Sequence, residues 1–188
     1  MSRYWRRPRP FYRSVIDAAF FLIVLAIVLF AMKQFGMIDL GVGSVQVVDG
    51  DSLRRGDMDI RLYGIDAPEY RQTCRDKHGA EYPCGKQAAN ALRNLVREGE
   101  VSCTSIETDR YGRAVAVCKR GELEINGEMV RLGWAVAYTS HSLSYVGLER
   151  EARRAKRGIW AGSFEPPADY RARQRLVQGG LGKMESPD

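Results

Sequence analysis

Val48-Asp49-Gly50-Asp51-Ser52 and Arg61-Leu62-Tyr63-Gly64-Ile65-Asp66-Ala67-Pro68-Glu69 decide how the rest of this chain is read. The two stretches gather four carboxylates, Asp49, Asp51, Asp66 and Glu69, and one arginine around two predicted strands. At an effective dielectric near 20, two carboxylates about 4 Å apart repel by roughly 4 kcal/mol, so a cluster of Asp49, Asp51 and Asp66 needs a cation to hold it together. Oxygen-only ligands select a hard ion, Ca2+ before Mg2+.

Val45, Val47 and Val48, then Leu53, then Ile60 and Leu62 mark three short strands. Asp49-Gly50-Asp51 and Arg55-Gly56-Asp57 separate them, which predicts a β-meander. Residues 86–98 place Ala88, Ala89, Leu92, Leu95 and Val96 on one helical face, with Gly99 as the stop. Residues 101–108 and 114–119 form a hairpin around Asp109 and Gly112, the favoured first and fourth residues of a type I turn. A four-residue turn centred between Arg110 and Tyr111 sets Cys103 opposite Cys118, and a bulge at the turn would shift that register by one. Asn126 is predicted to cap a short helix, residues 144–156 form another, and Ile159 and Trp160 close the core. Pro166-Pro167 breaks regular structure, and residues 179–188 have little that could pack. Five short strands with helices between and after them suggest a mainly β or α+β domain, a five-stranded Greek-key barrel of the OB type with about three helices.

The chain has 188 residues, 45% of them apolar, which excludes disorder of the whole. Its formal charge of +6 invites a polyanionic partner, but residues 1–39 hold six Lys/Arg against two Asp, leaving only +2 beyond them. Overall basicity is therefore weak evidence, and placed residues must carry the argument. Residues 18–32 are an unbroken apolar run, extended by Val15 and Ile16 and preceded by five arginines. As a helix, residues 15–32 rise about 27 Å, close to a hydrocarbon core of roughly 30 Å. The arginines keep the tail in the cytoplasm by the positive-inside rule, which puts the following domain in the periplasm or outside the cell. A cleavable signal peptide is the rival reading, and would make the protein secreted. The expected layout is a basic tail (1–14), a transmembrane anchor or signal segment (15–32), a juncture (33–40), a folded domain (41–165) and a partly flexible extension (166–188).

All four cysteines, Cys74, Cys84, Cys103 and Cys118, follow the apolar run, so two disulfides suit an oxidising compartment. The expected pairs are Cys103 with Cys118 and Cys74 with Cys84. A zinc site on Cys74, His78 and Cys84 is an alternative that lacks a fourth ligand at familiar spacing.

Taken in order, residues 48–52, 61–69, 108–113 and 126–134 resemble the staphylococcal-nuclease-like (thermonuclease) family, the likeness running from about residue 41 to residue 160. The resemblance implies an OB-fold barrel with helices, and a Ca2+-dependent phosphodiesterase acting on DNA and RNA. It implies that Asp51 and Asp66 ligate Ca2+, with the Ala67 carbonyl and with Asp49 behind them. It makes Glu69 the carboxylate that activates water, and Arg61 and Arg113 the phosphate-binding arginines. Arg110, Tyr111 and Tyr138 are candidate substrate contacts; reading on from Gly133-Trp134 without a gap brings Thr139 rather than Tyr138 to the family's second tyrosine position. The physics agrees, because a pentacoordinate transition state gathers charge that a dication and planar guanidinium forks stabilise. Two rivals remain: a catalytically silent OB-fold module binding nucleic acid or an envelope component, and a Ca2+-stabilised structural domain. The second gives no reason for Arg61 and Arg113. Beyond nucleic acid and the membrane, no protein partner is inferable.

Overall fold

The computed structural model describes residues 11–34, 38–140 and 142–181. The chain divides into two units, Met1–Met37 and Ile38–Asp188. The first contains helix α1 (Phe11–Gln34). Its side chains are described over residues 17–28 only, and tail residues 1–10 and juncture residues 35–37 lie outside the described residues. Among the described residues no helix is long and apolar enough to cross a membrane.

The second unit starts with strands β1 (Ile38–Gly43), β2 (Gln46–Val47), β3 (Ser52–Arg55), β4 (Met58–Leu62) and β5 (Ile65–Asp66). Strands β6 (Cys74–Arg75) and β7 (Glu81–Tyr82) form a small hairpin before helix α2 (Cys84–Arg97). Strands β8 (Val101–Thr108), β9 (Ala114–Arg120) and β10 (Leu123–Glu124) lead into helix α3 (Ile125–Arg131). Strand β11 (Val136–Ala137), helix α4 (Val146–Arg154), a 3-10 turn (Gly158–Ala161) and helix α5 (Pro167–Leu181) complete it.

The main sheet runs β1-β8-β9-β4-β3-β2, with β10 on β9; β4 and β9 are parallel and the other pairs antiparallel. Strands β1 and β2 lie at opposite ends of this order, yet only two residues separate Gly43 from Gln46. Three chain steps reach roughly 11 Å, whereas the edges of six flat strands stand about 24 Å apart. The sheet must therefore roll up, and the core fills the roll: Leu53, Ile60, Leu62, Ile65, Val101 and Ala116 from the strands meet Ala88 and Leu92 of α2 and Ile125, Met129 and Val130 of α3. The predicted meander is present, and the main sheet holds seven strands rather than five. One addition is β1, which starts at Ile38 inside the expected juncture because its backbone pairs with β8.

Both expected disulfides are present, Cys74–Cys84 and Cys103–Cys118, which removes the thiolates a zinc site would need. Cys103 faces Cys118 as expected, but not through a four-residue turn. The loop is one residue longer than a four-residue turn, with the Asp109 amide donating to the Arg113 carbonyl at 3.0 Å. A bulge between Ser105 and Glu107 then restores the register that sets Cys103 opposite Cys118. Asn126 is not a cap either. It lies inside α3, fully buried: its Oδ1 accepts from the Cys118 amide and its Nδ2 donates to the carbonyls of Tyr63 and Ala116. This bracket satisfies backbone groups that the sheet leaves open at the end of β4. Pro166-Pro167 begins a helix instead of only breaking one, because proline at the first helical position loses no hydrogen bond. The segment expected to fray, residues 179–188, is helical as far as Leu181, and residues 182–188 lie outside the described residues.

Candidate functional site

Asp51 enters the site because the turn before it is tight. The Asp49 carboxylate accepts the Asp51 amide at 3.0 Å, and a Cβ on Gly50 would stand 2.7 Å from that of Ala67 and 2.8 Å from that of Ala88. Only glycine lets this turn sit on α2 and on the strand that carries Asp66. Asp66 lies on β5, pinned beside Val136 of β11. Arg61 projects from β4, directly across from Ser52 of β3.

These placements converge. Arg61 Nη1 donates to Asp51 Oδ1 at 3.0 Å and Nη2 to Asp66 Oδ1 at 2.9 Å, so one guanidinium bridges two buried carboxylates. Asp51 Oδ1 also accepts from the Ser52 hydroxyl at 3.0 Å, and Asp51 Oδ2 from the Ala67 amide at 3.1 Å. Burial pushes the Asp51 carboxyl up to about 7; Asp49 and Asp66 add to the shift, while Arg61 and the Ala67 amide oppose it. Burial thus makes ionised Asp51 costly even with Arg61 beside it.

Glu69 ends the same loop. Its amide donates to Gln72 Oε1 at 3.2 Å, and the fully buried Gln72 donates from Nε2 to the Glu165 carbonyl at 2.7 Å. A Cβ on Gly85 would overlap the Glu69 carbonyl. The Cys74–Cys84 bridge ties the loop to the start of α2, so the backbone under Glu69 is held from three sides.

Asp49, Arg61, Glu69, Arg110, Tyr111, Arg113 and Tyr138 all line one groove of about 820 Å3, whereas Thr139 is not among its lining residues. Tyr138 is placed by its amide, which donates to the Gly64 carbonyl at 2.9 Å. Arg113 is not free-standing: its Nε donates to Asp109 Oδ2 at 2.8 Å, and Asp109 Oδ1 accepts the amides of Tyr111 and Arg113. The guanidinium carbons of Arg110 and Arg113 lie 5.0 and 5.5 Å from the exposed Tyr111 ring centroid.

The sequence reading missed the most direct contact. Arg171 of α5 donates from Nη1 to Asp66 Oδ1 and to Glu69 Oε1, and from Nη2 to Asp66 Oδ2, each at 2.9 Å. Arg175, one helical turn on, lines the same groove. Arg171, Arg173 and Arg175 in alternation were the only signal in the sequence, and it does not distinguish a site from a solvated face.

Among the described residues no group of three or more His, Cys, Asp or Glu side chains is arranged around a single metal position. The donor set nevertheless suits a hard cation. Asp51 and Asp66 are buried carboxylates drawn to one point by Arg61, and hard oxygen donors at such a point are what a dication takes. A cation held by these two side chains would take its remaining ligands from backbone oxygen and water.

Residues 59–162 match the family described as staphylococcal nuclease homologue. Asp49 and Asp51 precede that span. The chain is 34% identical over 122 residues to the succinoglycan biosynthesis protein ExoI of Rhizobium meliloti, covering 63% of this chain and 64% of that one. It is 34% identical over 138 residues to an uncharacterized endonuclease of Escherichia coli O157:H7, covering 69% and 84%. It is 32% identical over 142 residues to the probable endonuclease LCL3 of Schizophyllum commune, covering 64% and 47%. The chain thus spans less than two thirds of the first and third of these relatives.

Proposed function

The chain belongs to the staphylococcal nuclease homologues, and from that premise we propose that it is a Ca2+-dependent nuclease hydrolysing DNA and RNA phosphodiesters with little sequence preference. The rolled sheet is read as an OB-fold barrel, and α1 as the anchor that holds the domain outside the cytoplasm. The observation that carries the reading is the single groove: Arg61, Glu69 and Arg113 line it together, with Asp51 and Asp66 bridged by Arg61 behind them.

The chain's own groups account for the steps. Arg61 and Arg113 contact the phosphate oxygens, and their planar forks strengthen as charge gathers on those oxygens. Arg113 turns from Asp109 to do so. Glu69 orients a water and takes its proton as the water oxygen bonds to phosphorus. One phosphorus–oxygen ester bond breaks, and the departing oxygen takes a proton from solvent. Tyr111 and Tyr138 offer ring faces to bases, which gives affinity without base readout. A divalent cation on Asp51, Asp66 and the Ala67 carbonyl would supply Lewis-acid polarisation of the phosphate and the water.

A fragment beginning at Ile38 keeps β1 and suits the test. It should cut labelled single-stranded DNA and RNA with Ca2+ and not with chelator; binding without Ca2+-dependent cleavage would leave a binding module instead. For the anchor, protease added outside intact cells should remove the domain and spare the tail, and a soluble mature protein would establish a cleaved leader.

The cation should also appear in the pH dependence of stability. The Asp51 carboxyl is raised in the folded state, so the folded protein holds an extra proton between about pH 4 and pH 7. Without cation, this group's contribution to stability falls as pH rises through that window. Added Ca2+ is therefore expected to raise the melting temperature more at about pH 8 than at about pH 5, and Asp51→Asn to abolish the difference. Thermal melts of the two proteins with and without CaCl2 check both.

A further inference from the structure

Arg171 reaches the site from α5, beyond the last residue of the family match, and takes the very oxygens a cation would use. Both oxygens of Asp66 are occupied by guanidinium: Arg61 and Arg171 share Oδ1, and Arg171 holds Oδ2. Arg171 also holds Glu69 Oε1. A dication ligated by Asp66 must share an oxygen with a guanidinium, and it would then stand beside a like charge in a half-buried site.

The two arginines are not equally free to give way. Arg61 is rooted in the middle of the sheet and bridges two carboxylates. Arg171 sits on a helix whose one buried residue, among those described, is Pro167, while Leu176 and Val177 farther along are exposed. Little apolar surface holds α5 down, so its ion pairs to Asp66 and Glu69 are its main attachment. The chain just before it is fixed, because buried Gln72 donates to the Glu165 carbonyl. Release of Arg171 would therefore leave the tie beneath the loop that carries Glu69 in place.

We propose that Arg171 is a positioning residue that stands in for the divalent cation. In the cation-free protein it neutralises Asp66 and holds Glu69 in place, and cation binding exchanges it off Asp66 and loosens α5. By linkage, whatever holds α5 down weakens the cation, and the cation weakens the hold of α5 by the same factor. The extension thus sets the cation concentration at which the site assembles. This inference rests on the cation requirement proposed above.

Calorimetric titration of the full chain in detergent with CaCl2, without nucleic acid, tests it. Arg171→Ala is expected to bind Ca2+ about tenfold more tightly than the unaltered chain, since one charge-assisted competitor is gone. Arg171→Lys should fall between, because an ammonium cannot hold both Asp66 oxygens. Arg173→Ala, which loses a pair to Glu165 and a contact with the Tyr170 ring but nothing at Asp66 or Glu69, should leave the affinity unchanged. In the unaltered chain, Ca2+ should speed amide hydrogen exchange across α5, and this readout decides the matter if Arg171→Ala does not fold. Equal or weaker Ca2+ binding by Arg171→Ala, or exchange in α5 that Ca2+ leaves unchanged or slows, overturns the inference and leaves the cation site standing. Absence of Ca2+ binding to both proteins overturns the cation reading itself.

Discussion

Glu69→Gln is expected to lower turnover by about 10² to 10⁴, the range associated with loss of a general base, while Ca2+ and oligonucleotide binding survive. The substitution keeps side-chain volume, and its carbonyl oxygen can still accept from Arg171 as Glu69 Oε1 does. The backbone beneath it stays pinned through Gln72 and the Cys74–Cys84 bridge. What is lost is the charge that orients and deprotonates water. Single-turnover cleavage, Ca2+ calorimetry and oligonucleotide anisotropy on the same protein separate the effects. A turnover loss smaller than tenfold would remove Glu69 from the chemistry.

Arg61→Ala is expected to damage both stability and turnover, because the same guanidinium does two things. It holds Asp51 and Asp66 together, and their side chains are 5% and 2% exposed. Removing one partner from such a cluster costs about 3 to 5 kcal/mol, and the lower end applies here because Asp66 keeps Arg171. Turnover should fall by about 10² to 10³ through loss of a donor to the transition state. Ca2+ should return part of the lost stability and none of the turnover, since a cation can neutralise Asp51 and Asp66 but cannot replace the fork on the phosphate. Arg61→Lys should not rescue, for one ammonium cannot bridge both carboxylates with parallel bonds. Urea unfolding with and without CaCl2, beside cleavage rates, reads out each part.

Much of this was legible in the chain because it is local. Asp49-Gly50-Asp51 lies between two short strands, and a connection of four residues leaves the backbone little choice. The helical face of α2 and the hairpin of β8 and β9 followed from spacing in the same way, and the use of all four cysteines from their place after the apolar run. The register of Cys103 and Cys118 was read correctly through two compensating departures, a longer loop and a bulge, each invisible to turn statistics. Asn126 was misread because a polar residue at a predicted helix start looks the same whether it caps that helix or satisfies a distant backbone.

The sequence by itself determined the β-meander, the Asp49-Gly50-Asp51 turn, the face of α2 and the disulfide partners, because hydrophobic period, glycine and residue type act over a few positions. Only the tertiary structure decided that β1 begins before the expected domain and pairs with β8 at the edge of the sheet, that Asn126 brackets β9 to the end of β4, and that Arg171 occupies Asp66 and Glu69. Each of these joins residues far apart in the chain through backbone pairing, buried hydrogen bonding or unlike charge. Such contacts leave no periodic trace in the sequence, since their energy depends on the distance and burial that folding creates.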